Sequence, residues 1–380
     1  MKKALFVFAA ILAAFDFVAA GDILRGGDVS QISYVESAGG AFKQDGKKKD
    51  PFEILASSGM NAVRIRLYVD PGNVAFSPSC RLPKGVSDLA DALSQAKRAK
   101  ACNMEIVLSL HYSDYWTNAG TQNKPHEWEG LAFNDLVRVF GDYTRETVAA
   151  FVSQGTPPAF VSIGNETRGG LLFPDANCMT GEFKNLARLY NAAHRAIKAA
   201  CPGAKSVIHL DKAGEDGVYE WYFGELEKND VRFDVIGSSY YPYWTNLDTK
   251  AIRKWADGIH SRFKKPILFM ETGYAWTKNL PNGKLGQIEH NGPYDEYSQE
   301  GQKAFLEEFI DMILDAPQGE MLGFLYWDPV MIEVPGIGWE LGADNVVANT
   351  TLFDFSGNVL PGAKAFSHRS VRHSPHERRR

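Results

Sequence analysis

Cysteine is scarce in this chain: Cys80, Cys102, Cys178 and Cys201 are the only four among 380 residues. That excludes a framework of many disulfides, and four cysteines leave three pairings open. Cys80 and Cys102 flank one predicted helix, and Cys178 and Cys201 flank another. The ends of a helix of about 15 residues lie roughly 20 Å apart. A disulfide needs Cα atoms within about 7 Å. Pairing across either helix is therefore not expected, which leaves free thiols or pairing between loops. Long apolar runs are also missing after the first 20 residues, so no membrane helix is expected. Positive charge is sparse in the body. The net charge is −5; the first 20 residues carry +1 and the last 13 carry +4, leaving the body near −10. Such an acidic body argues against nucleic acid as a partner. No Gly-x-Gly-x-x-Gly fingerprint follows the first apolar run. Nor does a second histidine stand at ligand spacing from His111, so no metal is expected there.

The ends of the chain read separately from the body. Lys2 and Lys3 precede an uncharged apolar run, Ala4 to Phe15, and Val18-Ala19-Ala20 precedes Gly21. This pattern is that of a secretory signal peptide over residues 1–20. Residues 367–380 are rich in arginine and read as a disordered basic tail. The Asn165-Glu166-Thr167 match to a glycosylation sequon is taken as accidental, and Asn349-Thr350-Thr351 as the better acceptor.

Between these ends, residues 21–366 alternate short apolar runs with longer amphipathic ones. Strands are predicted at 23–27, 62–68, 105–110, 159–163, 205–209, 233–238, 266–270 and 321–327. Helices are predicted near 50–58, 87–101, 131–154, 182–200, 217–228, 247–262 and 298–314. In the 182–200 segment, Phe183, Leu186, Leu189, Tyr190, Ala193 and Ile197 keep a period near 3.6. Eight strands alternating with helices, without a nucleotide fingerprint, predict an α/β fold of the (β/α)8 TIM-barrel type. Its active site lies at the C-terminal strand ends.

Those ends carry the chemistry. Val161-Ser162-Ile163-Gly164-Asn165-Glu166 and Ile267-Leu268-Phe269-Met270-Glu271 each stop an apolar run on a carboxylate, 105 residues apart. Two such ends can place an acid/base and a nucleophile across one glycosidic bond. Arg64 and Arg66 share one face of the second strand and, inside a barrel, require carboxylate partners. His111, Asp114 and Trp116 follow the third strand, and Asn165 beside Glu166 can bond a sugar hydroxyl. Tyr240, Trp244 and Trp327 stand at later strand ends as sugar-stacking platforms.

Several segments recur in order from about residue 24 to 366. They include Arg25-Gly26-Gly27-Asp28-Val29-Ser30, Ala62-Val63-Arg64-Ile65-Arg66-Leu67-Tyr68-Val69-Asp70-Pro71 and His111-Tyr112-Ser113-Asp114. His209-Leu210-Asp211, Tyr240-Tyr241-Pro242, Glu271-Thr272-Gly273-Tyr274 and Tyr326-Trp327-Asp328-Pro329 follow. In this order the chain resembles glycoside hydrolase family 53, the arabinogalactan endo-β-1,4-galactanases. The resemblance implies a retaining endo-hydrolase with Glu166 as acid/base and Glu271 as nucleophile. Arg64 or Arg66 would keep Glu271 ionised, Asp28, His111, Asn165 and Tyr240 would support the site, and Asp114, Trp116, Trp244 and Trp327 would line subsites. Together with the signal-like start and the acidic body, the expectation is a secreted, extracellular monomer acting on β-1,4-galactan, with no cofactor, no assigned metal, and no nucleic-acid or membrane partner. Ser109, Thr167, Phe173 and Asp328 depart from the family pattern and bear on subsite specificity. Another retaining barrel glycosidase, such as a β-mannanase or endoglucanase, and an inactive carbohydrate-binding relative are the alternative readings.

Overall fold

The structure is a computed structural model that describes residues 22–72, 82–180, 183–339 and 341–369. The expected signal peptide, Cys80 and the tail beyond Arg369 lie outside the described residues. Eight parallel strands close into one barrel: β1 Leu24–Asp28, β2 Ala62–Leu67, β3 Glu105–Leu110, β4 Phe160–Ile163, β5 Lys205–Leu210, β6 Val235–Ser239, β7 Ile267–Thr272 and β8 Met321–Tyr326. Each strand pairs with its sequence neighbours, and β1 pairs with β8 to close the ring. All eight predicted strands and all seven predicted helices are present, with ends that shift by a residue or two.

The strands read as nearly continuous apolar runs because both of their faces are covered. Val63, Ile65 and Leu67 of β2 face the shell of helices, and Ala62 faces inward. The inward residues Leu24, Ala62, Val107, Phe160, Val207, Val235, Leu268 and Leu325 form an apolar plug low in the barrel. Above that plug the inward positions turn polar, and this is where the predicted arginines and carboxylates stand.

The seven predicted helices are α1 Pro51–Ser57, α2 Leu89–Ala101, α3 Phe133–Ser153, α4 Phe183–Ala200, α5 Val218–Lys228, α6 Thr249–Phe263 and α7 Gln299–Leu314, and short helical turns add Ile32–Ser37 and Pro242–Thr245. Four begin on side-chain caps: Asp50, Asp88, Asp248 and Ser298 each accept a backbone N–H of the first turn. After β8 the outer layer is reduced to α8, Pro361–Lys364, and a short turn over Ala365–Ser367. Beyond α8, Arg25 donates to the carbonyls of Phe366 (2.9 Å) and His368 (2.8 Å). Arg369 pairs with Asp22 at 3.1 Å and His368 with Asp311 at 2.9 Å. Ser367, His368 and Arg369, expected in the tail, are thus bonded to the barrel.

Cys102, Cys178 and Cys201 are free thiols. Asn349 is fully buried and donates to the carbonyls of Thr277 (3.1 Å) and Ile288 (3.2 Å), so the expected glycan acceptor is instead a loop brace. No helix of the described residues is long and apolar enough to cross a membrane.

Candidate active site

Glu166 and Glu271 meet at the C-terminal mouth of the barrel. One oxygen of each carboxyl and one ring nitrogen of His209 lie within 4.8 Å of one another. Both strand ends are bent to achieve this. After β4, Gly164 takes a φ of +83°, where an added Cβ would meet Thr167 Cγ2 at 2.4 Å, and Glu166 itself is left-handed at φ 47°. In β7 the registers slip on both sides: between Ser238 and Ser239 on β6, and between Phe269 and Thr272 against β8. Leu268 and Met270 face inward, so strict alternation would send Glu271 outward. The bulge turns it into the mouth instead.

Arg64 organises the floor of the site. It is fully buried. It donates to Glu271 Oε1 (2.7 Å), Asn165 Oδ1 (2.6 Å) and Ser109 Oγ (3.3 Å), with Asp28 at 3.5 Å. Arg66 bridges Asp28 (3.1 Å) and Asp328 (3.2 Å) and lies 4.4 Å from the Trp327 ring centroid. Both arginines thus have the carboxylate partners that burial demands. Ser109 and Asp328, which depart from the family pattern, are partners in this network.

The two carboxyls sit in unlike surroundings. Burial, the nearby Glu271 and Asp211 hold the Glu166 carboxyl well above the usual range, against Ser239 and Arg64. Burial also raises Glu271, but Arg64 and the Tyr241 hydroxyl (3.0 Å from Oε2) pull it back. Of the two carboxyls, the surroundings of Glu166 thus favour the protonated form more. A cation held by Glu166, His209 and Glu271 would compete with Arg64 on Glu271 Oε1 and with Ser239 on both Glu166 Oε1 and His209 Nε2. Glu271 Oε1, Glu166 Oε1 and His209 Nε2 are thus already hydrogen-bonded within the site.

Two adjoining cavities meet at Glu166. One, of about 530 Å³, is lined by Asp211, Lys212, Glu215, Ser239 and Thr245. The other, of about 300 Å³, is lined by Trp116, Glu271, Gln287, Trp327 and Trp339. Asn118, Glu166, Tyr241 and Trp244 border both, so the two form a single trough. Trp116 stacks on Trp339 at 5.3 Å between centroids, with Trp327 edge-on to it at 5.5 Å. Trp244 is 56% exposed.

Three predicted site residues are placed elsewhere. Tyr240 points outward, its hydroxyl on the Leu247 carbonyl (2.7 Å) and its ring among Phe269 and Phe309. Its neighbour Tyr241 takes the expected place beside Glu271. Asp114 accepts the backbone N–H groups of Asp70 (3.1 Å) and His126 (2.8 Å), bracing two loops, and lines neither cavity. His111 bonds Thr117 Oγ1 (2.9 Å) and packs edge-on against Tyr68, behind Trp116. Burial and then the arginines hold its pKa far down, so it is a neutral backing residue without contact to either carboxyl. Asp28, Arg64, Arg66, Trp116, Asn165, Trp244 and Trp327 stand at or directly beneath the trough. Tyr241, Ser239, His209 and Asp211 were missed; His209, Asp211 and Tyr241 lie inside the recurring segments, but nothing local in the sequence marked them.

The profile of Glycosyl hydrolase family 53 matches residues 24–366. The chain belongs to that family. A family 53 assignment agrees with the relatives found. The arabinogalactan endo-β-1,4-galactanase of Thermothelomyces thermophilus is 31% identical, over 90% of this chain and 98% of that one. The endo-β-1,4-galactanase of Bacillus subtilis (strain 168) is 27% identical, over 94% and 88%. The solved family 53 catalytic domain of Ignisphaera aggregans superposes with a TM-score of 0.84 at 31% identity, covering 92% of this chain and 96% of that one. This family 53 chain is a glycoside hydrolase on a (β/α)8 barrel, and its substrate class is polysaccharide.

Thr167 has a visible role in this family 53 site. Its hydroxyl donates to the His209 carbonyl (3.2 Å) and accepts from Tyr190 (2.6 Å), while Tyr222 donates to the Thr167 carbonyl (2.8 Å). This buried hydroxyl network ties the turn carrying Glu166 to β5.

Proposed function

We propose that this chain is a secreted, monomeric endo-β-1,4-galactanase that retains anomeric configuration, with Glu166 as acid/base and Glu271 as nucleophile. The observation that carries the reading is the pair of carboxyls within 4.8 Å, one held by Arg64 and the other raised by burial. A short separation of about 5 Å favours direct attack by a carboxylate; inversion needs roughly 6.5–9.5 Å to admit water. In the first half-reaction Glu271 bonds to C1 as the C1–O bond breaks, and Glu166 gives its proton to the departing oxygen. In the second, water bonds to C1, its proton returns to Glu166, and Glu271 leaves. The trough runs past both carboxyls, which suits cleavage within a long chain, and the names of the relatives point to galactan.

Incubation with pectic galactan, β-mannan and carboxymethylcellulose tests the substrate. Galacto-oligosaccharides whose first-formed reducing ends are β by NMR are expected; cleavage of mannan or cellulose alone would overturn the reading.

Glu166→Gln should lower kcat on galactan roughly 10²–10⁴-fold. The loss should shrink on aryl galactosides whose leaving group needs no proton. Because the folded pKa of Glu166 is raised, its contribution to stability is present below the unfolded value and lost as pH rises through the folded one. The glutamine variant should therefore unfold at higher urea than wild type at pH 8 but match it at pH 4. Trp244→Ala should raise KM about tenfold with kcat little changed, the expected loss of one exposed stacking surface.

A further inference from the structure

The mechanism leaves unused a buried histidine beside the two carboxyls. His209 lies at the inward end of β5, and one of its ring nitrogens is within 4.8 Å of both carboxyls. Its Nε2 is 2.8 Å from Ser239 Oγ, and Ser239 Oγ donates to Glu166 Oε1 at 2.8 Å. Val235, Gly237 and Ser239 alternate inward along β6, which puts the Ser239 hydroxyl in the mouth, and the bulge in β7 sets Glu271 rather than Met270 opposite it. On the other side, Thr167 fixes the His209 backbone to the turn that carries Glu166.

A hydroxyl has one proton to give. When Glu166 is a carboxylate, after it has protonated the leaving oxygen, Ser239 must donate to Oε1. Ser239 Oγ then has only acceptor capacity toward His209, so Nε2 must carry hydrogen. Burial and Arg64 keep His209 neutral, so it holds that single N–H in both half-reactions. The chain Nε2–H···Oγ–H···Oε1 thus has one polarity throughout. With Oε1 committed as an acceptor, the acid proton belongs on Oε2.

We propose that His209 is a positioning residue for hydrolysis: acting through Ser239, it fixes Glu166 Oε2 as the oxygen that gives and retakes the proton. The proposal rests on Glu166 being the acid/base. It makes Ser239 a donor to the charged form of Glu166, which opposes the groups that raise the carboxyl. The other groups facing Glu166 are Glu271 on β7, Asp211 after β5, Arg64 on β2, Arg168 in its own turn, Tyr241 after β6 and Tyr219 on α5. None of these is removed by changing Ser239 or His209.

The test is the pH profile of kcat/KM on a galacto-oligosaccharide for wild type, Ser239→Ala, His209→Leu, His209→Gln and the double variant Ser239→Ala/His209→Leu. The alkaline limb reports Glu166 in the free enzyme. Loss of a hydrogen bond to the charged form should move that limb up by about one pH unit in Ser239→Ala and leave the acid limb in place. His209→Leu should move the same limb less. The double variant should match Ser239→Ala, and His209→Gln, which keeps a donor at the Nε2 position, should return toward wild type. An unmoved alkaline limb in Ser239→Ala, or a His209→Leu shift that adds in full to it, would overturn the proposal. If His209→Leu does not fold, ¹⁵N NMR of histidine-labelled wild type decides: hydrogen on Nε2 upholds the relay, and hydrogen on Nδ1 overturns it. Wild-type rates in Glu166→Gln would instead remove the acid/base reading itself, whatever the limbs do.

Discussion

Glu271→Ala is expected to lower kcat on β-1,4-galactan by roughly 10⁴–10⁶-fold, the scale seen when a nucleophile is removed from an otherwise intact site. At about 1.4 kcal/mol per factor of ten, that corresponds to some 5–8 kcal/mol of the barrier. The substitution removes the carboxylate that Arg64 and Tyr241 both address. It also leaves a space beside the sugar carbon. Oligosaccharide binding should survive, because Trp116, Trp244, Trp327 and Trp339 remain in the trough. Added azide should enter that space and restore turnover, giving an α-galactosyl azide, since one displacement inverts where two retain. A variant that keeps more than about one percent of wild-type turnover, or an azide product of β configuration, would place the nucleophile elsewhere.

Arg64→Ala should have the largest effect on stability. The guanidinium is fully buried and touches Glu271, Asn165 and Ser109, with Asp28 beside it. Removing one partner from a buried pair leaves a charge without compensation, which costs about 3–5 kcal/mol. Urea unfolding at neutral pH measures it. The sign of the kinetic effect follows from the same contact. Without Arg64, burial acts on Glu271 with less opposition, so its carboxyl titrates higher and the acid limb of kcat/KM moves to higher pH. In a Glu271→Ala background the stability cost of Arg64→Ala should fall, because the main partner is already gone. Equal costs in the two backgrounds would show that the ion pair is not what Arg64 supports. Arg64→Lys keeps the charge but cannot span Glu271 and Asn165 with one planar fork, so it should recover stability more than activity.

Much of this site was legible because it obeys the alternation of a strand. Arg64 and Arg66 were placed inward by a period of two, and both stand there with carboxylates. Glu166 and Glu271 were found because each ends an apolar run. One error came from not carrying that alternation through the end of β6. Choosing Tyr240 over Tyr241 is a slip of one residue, and on a strand one residue changes the face. Val235, Gly237 and Ser239 face inward, so the same alternation puts Tyr240 outside and Tyr241 inside. Asp114 was misjudged for another reason. Polar residues at a strand end look alike in sequence, whether they meet a ligand or satisfy the backbone of a neighbouring loop. His209 and Ser239 are 30 residues apart, and only the closed sheet makes them neighbours.

The contact of Arg25 with the far end of the chain bears on how this barrel comes apart. A first strand is ordinarily the place where a fold frays, since nothing holds it from one side. Here peeling β1 from β8 would pull a buried guanidinium off the carbonyls of Phe366 and His368 and would break the Asp22–Arg369 pair. Neither β1 nor the segment 366–369 can loosen alone. Opening at this seam therefore approaches the free energy of whole-barrel unfolding, and amide protons of β1 should exchange with solvent about as slowly as those of the innermost strands.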